Sequence, residues 1–181
     1  MFKKFSAEEN ISSTSQVKNS VQRAIINAIT SQYPLIEPHL ENILPKKGML
    51  IGKAQDGMQL IIVNNVILFF CIDKDGPFFP TLRLLHQYPS MMQRMQVDKG
   101  AIRFILGGAN IMCPGFTSPG GSLPVPIEAN QPVAVYAEGK EHALSVGITK
   151  MSTEQIKTAN KGIAVDSLHY LLDELWQIKS L

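Results

Sequence analysis

Cysteine is scarce in this chain of 181 residues, which contains only Cys71 and Cys113. Two thiols cannot build a disulfide framework, and they cannot supply a four-thiolate zinc site within one chain. Cys113 also follows an apolar run beside Pro114, rather than standing in the exposed cationic setting that activates a nucleophile. We therefore expect two reduced, structural thiols and a cytoplasmic protein.

Long apolar runs are missing as well. No run approaches the roughly 20 apolar residues that span a bilayer. The basic segment Met1–Ser6 is followed by Glu8 and Glu9, where a signal peptide would need its apolar core. At 45% hydrophobic and 18% charged residues, the composition is that of a globular protein with one domain or two small ones.

The chain carries little net charge of either sign. Residues 1–92 contain nine lysines and arginines against seven acidic residues, and residues 93–181 contain eight of each. A domain that binds nucleic acid mainly through electrostatic attraction usually has a much higher net positive charge than either half of this chain. If the second half contacts RNA, the contact must come from a local patch, from shape or with help from a partner.

No catalytic or metal-binding pattern can be recognised. No H-E-x-x-H motif or paired-cysteine spacing joins the scattered histidines. No serine lies in a G-x-S-x-G elbow, and the paired glycines at 107–108 lack the preceding strand of a dinucleotide site. We therefore predict a protein that is not an enzyme and that needs no metal or cofactor. The histidines are His39, His86, His142 and His169.

The first half predicts an α+β domain over residues 1–92. Apolar residues recur at helical spacing over residues 15–32, and a shorter helix is predicted over residues 36–44. A helix opened by Pro80 and closed by Pro89 follows a meander of three strands. Hairpin signals at residues 56–57 and 64–65 separate those strands, which span residues 49–53, 58–63 and 66–72.

Two aromatic residues stand between prolines in this domain, Phe78 and Phe79. Such a segment predicts a rigid projecting loop, and we expect both rings to contact a partner protein. The alternative is that both rings pack in the interior against the helix that follows.

A domain boundary is predicted at residues 90–95, where no periodicity holds and three methionines occur. Residues 97–115 then predict a short helix followed by an apolar strand. Asp98 is a good N-cap, and apolar residues recur at helical spacing after it. Lys99 and Arg103 lie four apart on the polar face, so both can touch neighbouring phosphates, unless this is only a solvated face.

Paired glycines end this predicted helix. Gly107 and Gly108 supply the positive φ that a helix end requires. They also predict bare backbone N–H groups beside the two cations, where a phosphate could approach closely.

Alternating strands and turns continue to the C-terminus of this second domain. A hairpin is predicted over residues 133–137 and 142–151, and Ser152 has the form of a capping box that begins a helix. Short strands at residues 163–165, 167–170 and 175–178 would close a barrel. In the last of them Trp176 is expected to plug the barrel, with a stacking platform for a base as the alternative.

The segment from Val97 to Gly115 resembles the opening of a PUA domain, a small RNA-binding pseudo-barrel found in pseudouridine synthases and archaeosine transglycosylases. The resemblance extends over the chain, which is similar to the malignant T-cell amplified sequence family of eukaryotic translation factors. The motifs that carry it are MFKKF at 1–5, LPKK at 44–47, PFFPTLRLLH at 77–86, TSPG at 117–120 and AEGK at 137–140.

The resemblance implies a fold and a set of RNA-contacting residues. The fold is an N-terminal α+β domain at 1–92, followed by a PUA-type β pseudo-barrel at 93–181. Lys99 and Arg103 would contact phosphates, with Lys140 and Lys179 as secondary candidates. The small and apolar positions that would line the same surface are Gly107, Gly108, Ala109, Met112 and Pro114.

The resemblance also implies a function. The chain would bind RNA of the small ribosomal subunit, with a tRNA acceptor end as a second RNA ligand, as a heterodimer with a density-regulated-type protein. Its roles would be non-standard initiation or reinitiation and the release of deacylated tRNA after termination. Two other functions stay open at this stage: a tRNA-binding accessory subunit of an RNA-modification complex, and a pure protein-interaction adaptor.

Overall fold

The computed structural model describes all residues from Met1 to Leu181 and contains two five-stranded sheets. The first sheet is an antiparallel meander in the order β1-β2-β3-β4-β5, with every strand next to its neighbour in sequence. The hairpin signals predict its central strands correctly. Its strands are β1 (Ile11–Gln16), β2 (Met49–Ala54), β3 (Gln59–Val63), β4 (Val66–Cys71) and β5 (Phe78–Pro80).

Helices cover one side of this sheet. A single turn, α1, comes first, and the amphipathic α2 buries Ile25 and Ile29. A 3-10 helix at Pro34–His39 leads into α3, so the second predicted helix is split in two. Thr81, rather than Pro80, caps α4. The α-helices of this domain are α1 (Ala7–Asn10), α2 (Asn19–Gln32), α3 (Leu40–Ile43) and α4 (Leu82–Gln87).

The edge strand β1 was not predicted, because its Ser/Thr-rich sequence shows no alternation of apolar residues. Five of its six residues are exposed, and its conformation comes from hydrogen bonding to β2. The predicted start of α2 at residue 15 is therefore wrong by four residues.

Phe78 and Phe79 are buried, at 9% and 1% exposure. They form β5, in which Phe79 stacks on Phe70 with ring centroids 5.3 Å apart. The Tyr33 hydroxyl and the Gln32 side chain bind the backbone of Phe78. The prediction that these two rings contact a partner is wrong, because they lie in the core and pairing with β4 removes the loop on which that prediction depended.

The second sheet curls into half of a barrel with the strand order β6-β8-β9-β10-β7. β6 pairs with β8 in parallel, and the other pairings are antiparallel. The architecture is thus an N-terminal α+β domain followed by a PUA-type half-barrel, as predicted. The strands are β6 (Arg94–Val97), β7 (Ile111–Met112), β8 (Pro132–Ala137), β9 (Ser145–Thr149) and β10 (Ile163–Tyr170).

Three short helices connect these strands and a fourth follows the last strand: α5 (Ile102–Leu106), α6 (Cys113–Thr117), α7 (Thr153–Ala159) and, after β10, α8 (Glu174–Gln177). The capping box at Ser152 begins α7 as predicted. None of the helices in the chain has the length and hydropathy that crossing a bilayer requires.

Trp176 lies in α8, where the sequence predicts a strand. Its ring does not plug the barrel. It packs instead on α4 of the first domain, with the Arg83 guanidinium 4.2 Å from the ring centroid and the His86 ring at 5.4 Å. Asp173 causes this difference, because its carboxylate accepts the Trp176 N–H and begins a helix.

The two domains share one core. Six residues of the second domain belong to the larger apolar cluster, which is otherwise built from the first domain. Hydrogen bonds cross the same junction: Leu82 N–H donates to His169 Nε2 at 3.0 Å, and Glu174 N–H donates to the Phe2 carbonyl at 3.0 Å. The six residues are Ala134, Tyr136, Ala143, Val146, Leu168 and Leu175.

Candidate nucleic-acid interface

The helical segment from Lys99 to Leu106 forms the centre of the candidate site. Asp98 Oδ1 accepts the Ala101 N–H at 3.1 Å, which caps a 3-10 turn that continues into α5. Asp98 N–H donates to the Gly115 carbonyl at 2.9 Å and joins this segment to α6. Ile105 points into the core, so Lys99 and Arg103 are both exposed on the outer face, as predicted.

Arg103 and its neighbour Phe104 form a cation–aromatic pair on this face. The guanidinium carbon lies 4.7 Å from the Phe104 ring centroid, and 56% of Phe104 is exposed. Both residues line an open groove of about 360 Å³. A planar apolar ring beside a guanidinium is suited to stacking a base while the cation contacts a phosphate.

Apolar side chains continue from Phe104 across the groove. Met112 in β7 is 48% exposed, and Pro114 in α6 is exposed as well; both line the groove with Arg103 and Phe104. The apolar strand predicted after the glycines is only two residues long, because Cys113 begins α6. Arg103, Met112 and Pro114 are therefore brought together as predicted, but by a helix-strand-helix arrangement.

Two further cations lie on neighbouring elements. The turn that carries Lys140 approaches Lys99, since a Cβ placed on Gly139 would lie 3.8 Å from Lys99 Cε. Lys140 is exposed, and none of Lys99, Arg103 and Lys140 forms an ion pair within the chain. One cation, Arg103, thus lines the groove together with Asp98, and Lys99 and Lys140 lie on the neighbouring segments, although the second domain is neutral as a whole.

The paired glycines have a different role from the one predicted. Gly108 has φ +81°, but Gly107 has ordinary helical dihedrals. The N–H groups of Gly107, Gly108 and Ala109 donate to the carbonyls of Arg103, Ile105 and Phe104. The prediction of bare N–H groups for a phosphate is therefore wrong, because the helix end uses them itself. Gly107 and Ala109 are exposed beside the groove.

Gly108 is closely surrounded by side chains. A Cβ at this position would overlap Lys3 Cε and lie 2.8 Å from the Tyr170 hydroxyl oxygen. Burial raises the pKa of Tyr170, and the nearby Asp173 and Glu174 raise it further, so the hydroxyl stays neutral. Gly108 is thus favoured by its positive φ, and its backbone lies close to side chains from other parts of the chain.

Lys179 is not part of this surface. Ile178 packs against the larger core, and Leu181 N–H donates to the Asn65 carbonyl of the first domain at 2.7 Å. The C-terminal segment therefore follows the first domain. The sequence could not show this, because nothing in residues 178–181 predicts where they dock.

Sequence reasoning missed Phe104 and Lys3. A signal for Phe104 was available, since it lies outside the apolar stripe formed by Ala101, Ile102 and Ile105 and must therefore face solvent. No local signal exists for Lys3, because it is brought to Gly108 by the docking of the two domains. No group of three or more His, Cys, Asp or Glu side chains converges on a possible metal position.

Comparison with known proteins agrees with this architecture. The Pre-PUA-like domain family matches residues 5–89, and the PUA domain family matches residues 93–171. Malignant T-cell-amplified sequence 1-A of Xenopus laevis is 50% identical over 181 residues, covering 99% of both chains. A Dictyostelium discoideum homologue is 46% identical and covers 100% of both. The chain belongs to the malignant T-cell-amplified sequence family.

Solved structures show the same fold. A hypothetical protein from Pyrococcus horikoshii is 25% identical, with a TM-score of 0.73 over 93% of this chain and 100% of that one. A conserved PUA domain protein from Thermoplasma acidophilum is 19% identical, with a TM-score of 0.64 over 91% and 98%. Within the malignant T-cell-amplified sequence family, the PUA domain implies RNA binding, and the groove beside α5 lies in that domain.

Proposed function

We propose that this chain is a non-catalytic, cytoplasmic translation factor that binds RNA of the small ribosomal subunit through the groove beside α5. One observation carries the proposal: an exposed aromatic ring, Phe104, and the Arg103 guanidinium, which forms no ion pair, line the same groove of a PUA domain. Phosphates would contact Lys99, Arg103 and Lys140, and an unstacked base would lie on Phe104.

We also propose that the chain works with a density-regulated-type protein. The family resemblance suggests this partner, along with roles in non-standard initiation, in reinitiation and in the release of deacylated tRNA after termination. The electrically neutral second domain supports the need for a partner, because three cations alone give modest affinity at physiological salt. The groove would then position RNA, or a tRNA acceptor end, while the partner adds further contacts.

A protein-interaction adaptor is the second candidate function. The exposed apolar side chains of Phe104 and Met112 favour it, because contiguous exposed apolar groups also mark protein interfaces. The two functions differ in their response to salt. RNA binding through phosphates weakens steeply with salt concentration, and docking through apolar side chains does not.

Sedimentation with purified small ribosomal subunits through sucrose gradients, at several potassium chloride concentrations, tests the proposal. We expect wild-type protein to co-migrate with the subunits. Lys99→Ala/Arg103→Ala should weaken binding by about tenfold or more and flatten its salt dependence. Phe104→Ala should weaken binding without changing the salt slope, because a stacking contact releases no counterions.

The matched control is Lys74→Ala/Lys179→Ala, which removes the same charge from exposed positions outside the groove. It should leave binding within about twofold of wild type. An equal loss of subunit binding in both double variants would contradict the assignment of the groove as the RNA-binding site. Wild-type protein that stays at the top of the gradient would count against the ribosomal function, and binding to free tRNA alone would favour an accessory subunit of an RNA-modification complex.

A further inference from the structure

We propose that Lys3 of the first domain completes the RNA-binding surface of the second, by contacting a phosphate at the glycine end of α5. This inference rests on the proposed RNA binding and extends its site. The recognition surface would then be composite: Lys99 and Lys140 lie at the beginning of the helical segment, Arg103 in the middle and Lys3 at its end.

The contact between Lys3 and Gly108 is the first observation. A Cβ on Gly108 would overlap Lys3 Cε, so the lysine stem lies directly on the glycine backbone. A larger residue here would displace the end of the Lys3 side chain, and the positive φ of Gly108 is unfavourable for residues other than glycine. Lys3 is exposed, which matches a lysine whose stem packs on the protein while its ammonium group stays in solvent.

The second observation is that the backbone next to Lys3 is anchored at the junction of the two domains. The neighbouring Phe2 is fully buried, with edge contacts to Phe5, Phe70 and His169 at centroid distances of 5.2, 5.1 and 5.9 Å. Its carbonyl accepts the Glu174 N–H at 3.0 Å. The ring thus sits between the domains and places the backbone of Lys3 near Gly108, while the lysine side chain stays exposed.

The third observation is that the backbone at this end of α5 has no free N–H group to offer an anion. The N–H groups of Gly107, Gly108 and Ala109 are bonded within the helix end. Lys3 itself forms no ion pair. The nearby Asp173 carboxylate is buried and already accepts hydrogen bonds from His169, Tyr170 and Trp176. The Met1 amino group also lies near Lys3, but partial burial lowers its pKa, so the exposed Lys3 ammonium is the cation that we assign to a phosphate where RNA would leave the groove.

Lys4 is a matched control for Lys3. It is adjacent, equally exposed and carries the same charge. Its side chain lines a different depression, with Asn10 and the connection between β2 and β3 that contains Asp56. Replacing either lysine therefore removes the same charge from nearly the same place in the sequence, but only Lys3 touches α5.

The test measures binding of the full chain to a short fluorescein-labelled RNA hairpin with a single-stranded overhang, by anisotropy over a range of potassium chloride concentrations. Lys3→Ala should weaken binding by about 3- to 5-fold and lower the salt slope by roughly 0.7 to 0.9. Lys3→Arg should retain binding, Lys4→Ala should change it by less than about 1.5-fold, and both alanine variants should keep the wild-type melting temperature.

The other possible results distinguish a failure of the role of Lys3 from a failure of the proposed RNA binding. Equal effects of Lys3→Ala and Lys4→Ala would show a diffuse charge effect and overturn the inference. An unchanged Lys3→Ala variant, with binding lost in Lys99→Ala/Arg103→Ala, would refute the role of Lys3 and keep the proposed function. Wild-type protein that binds neither this hairpin nor small subunits would refute both.

Discussion

His169 provides the strictest test of whether the two domains form one folding unit. The side chain is completely buried at the junction. Its Nδ1 bonds to Asp173 Oδ2 at 2.8 Å, and its Nε2 accepts the Leu82 N–H at 3.0 Å. Since Nε2 accepts a hydrogen bond, the ring proton is on Nδ1, and the Nδ1–H group donates a hydrogen bond to the Asp173 carboxylate. One neutral imidazole thereby connects β10 to the beginning of α4.

The cost of His169→Ala follows from these two bonds. The Leu82 N–H is left buried without an acceptor, at about 1–3 kcal/mol, and Asp173 loses a charge-assisted bond of about 1.5–3 kcal/mol. We therefore expect a loss of roughly 3–6 kcal/mol in the free energy of unfolding, a large part of the stability of a typical domain. His142→Ala is the control, because His142 is exposed and its removal should cost less than about 0.5 kcal/mol.

Urea unfolding, monitored with two spectroscopic probes, measures the loss of stability in His169→Ala. Trp176 is the only tryptophan and lies at the junction, so its fluorescence reports the contact between the domains. Far-ultraviolet circular dichroism reports both sheets. In wild type the two transitions should coincide, whereas in His169→Ala the fluorescence midpoint should come first because the junction opens before the sheets unfold. Separate transitions in wild type, or a loss below about 1 kcal/mol in the variant, would refute a junction that depends on His169.

Two further predictions concern the buried Phe79 ring and the half-buried His86 ring. Phe79→Ala should lower the free energy of unfolding by about 3–5 kcal/mol, because it removes a buried ring. The same change at the exposed Phe104 is the control and should cost less than about 0.5 kcal/mol. Similar melting temperatures of the two variants would contradict the core position of Phe79. Burial lowers the pKa of His86 from its ordinary 6.5, so the stability it contributes is complete above pH 6.5 and decreases as the pH falls toward the lowered folded value. His86→Gln, which can still donate to the Ala143 carbonyl but does not titrate, should flatten urea midpoints between pH 7 and pH 5, and an unchanged slope would contradict this origin.

Local sequence signals predicted the parts of the fold that depend on local interactions. The hairpins of the first sheet, the Asp98 and Ser152 caps and the positive φ of Gly108 all involve residues close in sequence. The exposed cations Lys99 and Arg103 followed from the apolar face opposite them. Charge patterning on a short helix therefore located the centre of the candidate site.

The predictions from sequence were wrong where contacts with residues distant in sequence determine the conformation of a segment. β1 is a strand only because β2 offers an edge, and β5 is a strand only because β4 pairs with Phe78 and Phe79. Trp176 lies in a helix because Asp173 caps it, and that carboxylate is in turn oriented by His169. None of these contacts has a local signature, so composition and periodicity could not identify the partner of each segment.

The shared core changes how the candidate site should be understood. In a PUA domain with zero net charge, the attraction of RNA depends on where the cations lie rather than on how many there are. The junction built by Phe2, His169 and Trp176 anchors the segment that carries Lys3 and places its side chain next to Gly108, just after the end of α5. If this is correct, destabilising the junction should weaken RNA binding even when every groove residue is intact. His169→Ala, assayed below its unfolding temperature with the same RNA hairpin, should then show the salt slope of Lys3→Ala, and a wild-type slope would show that the groove works independently of the first domain.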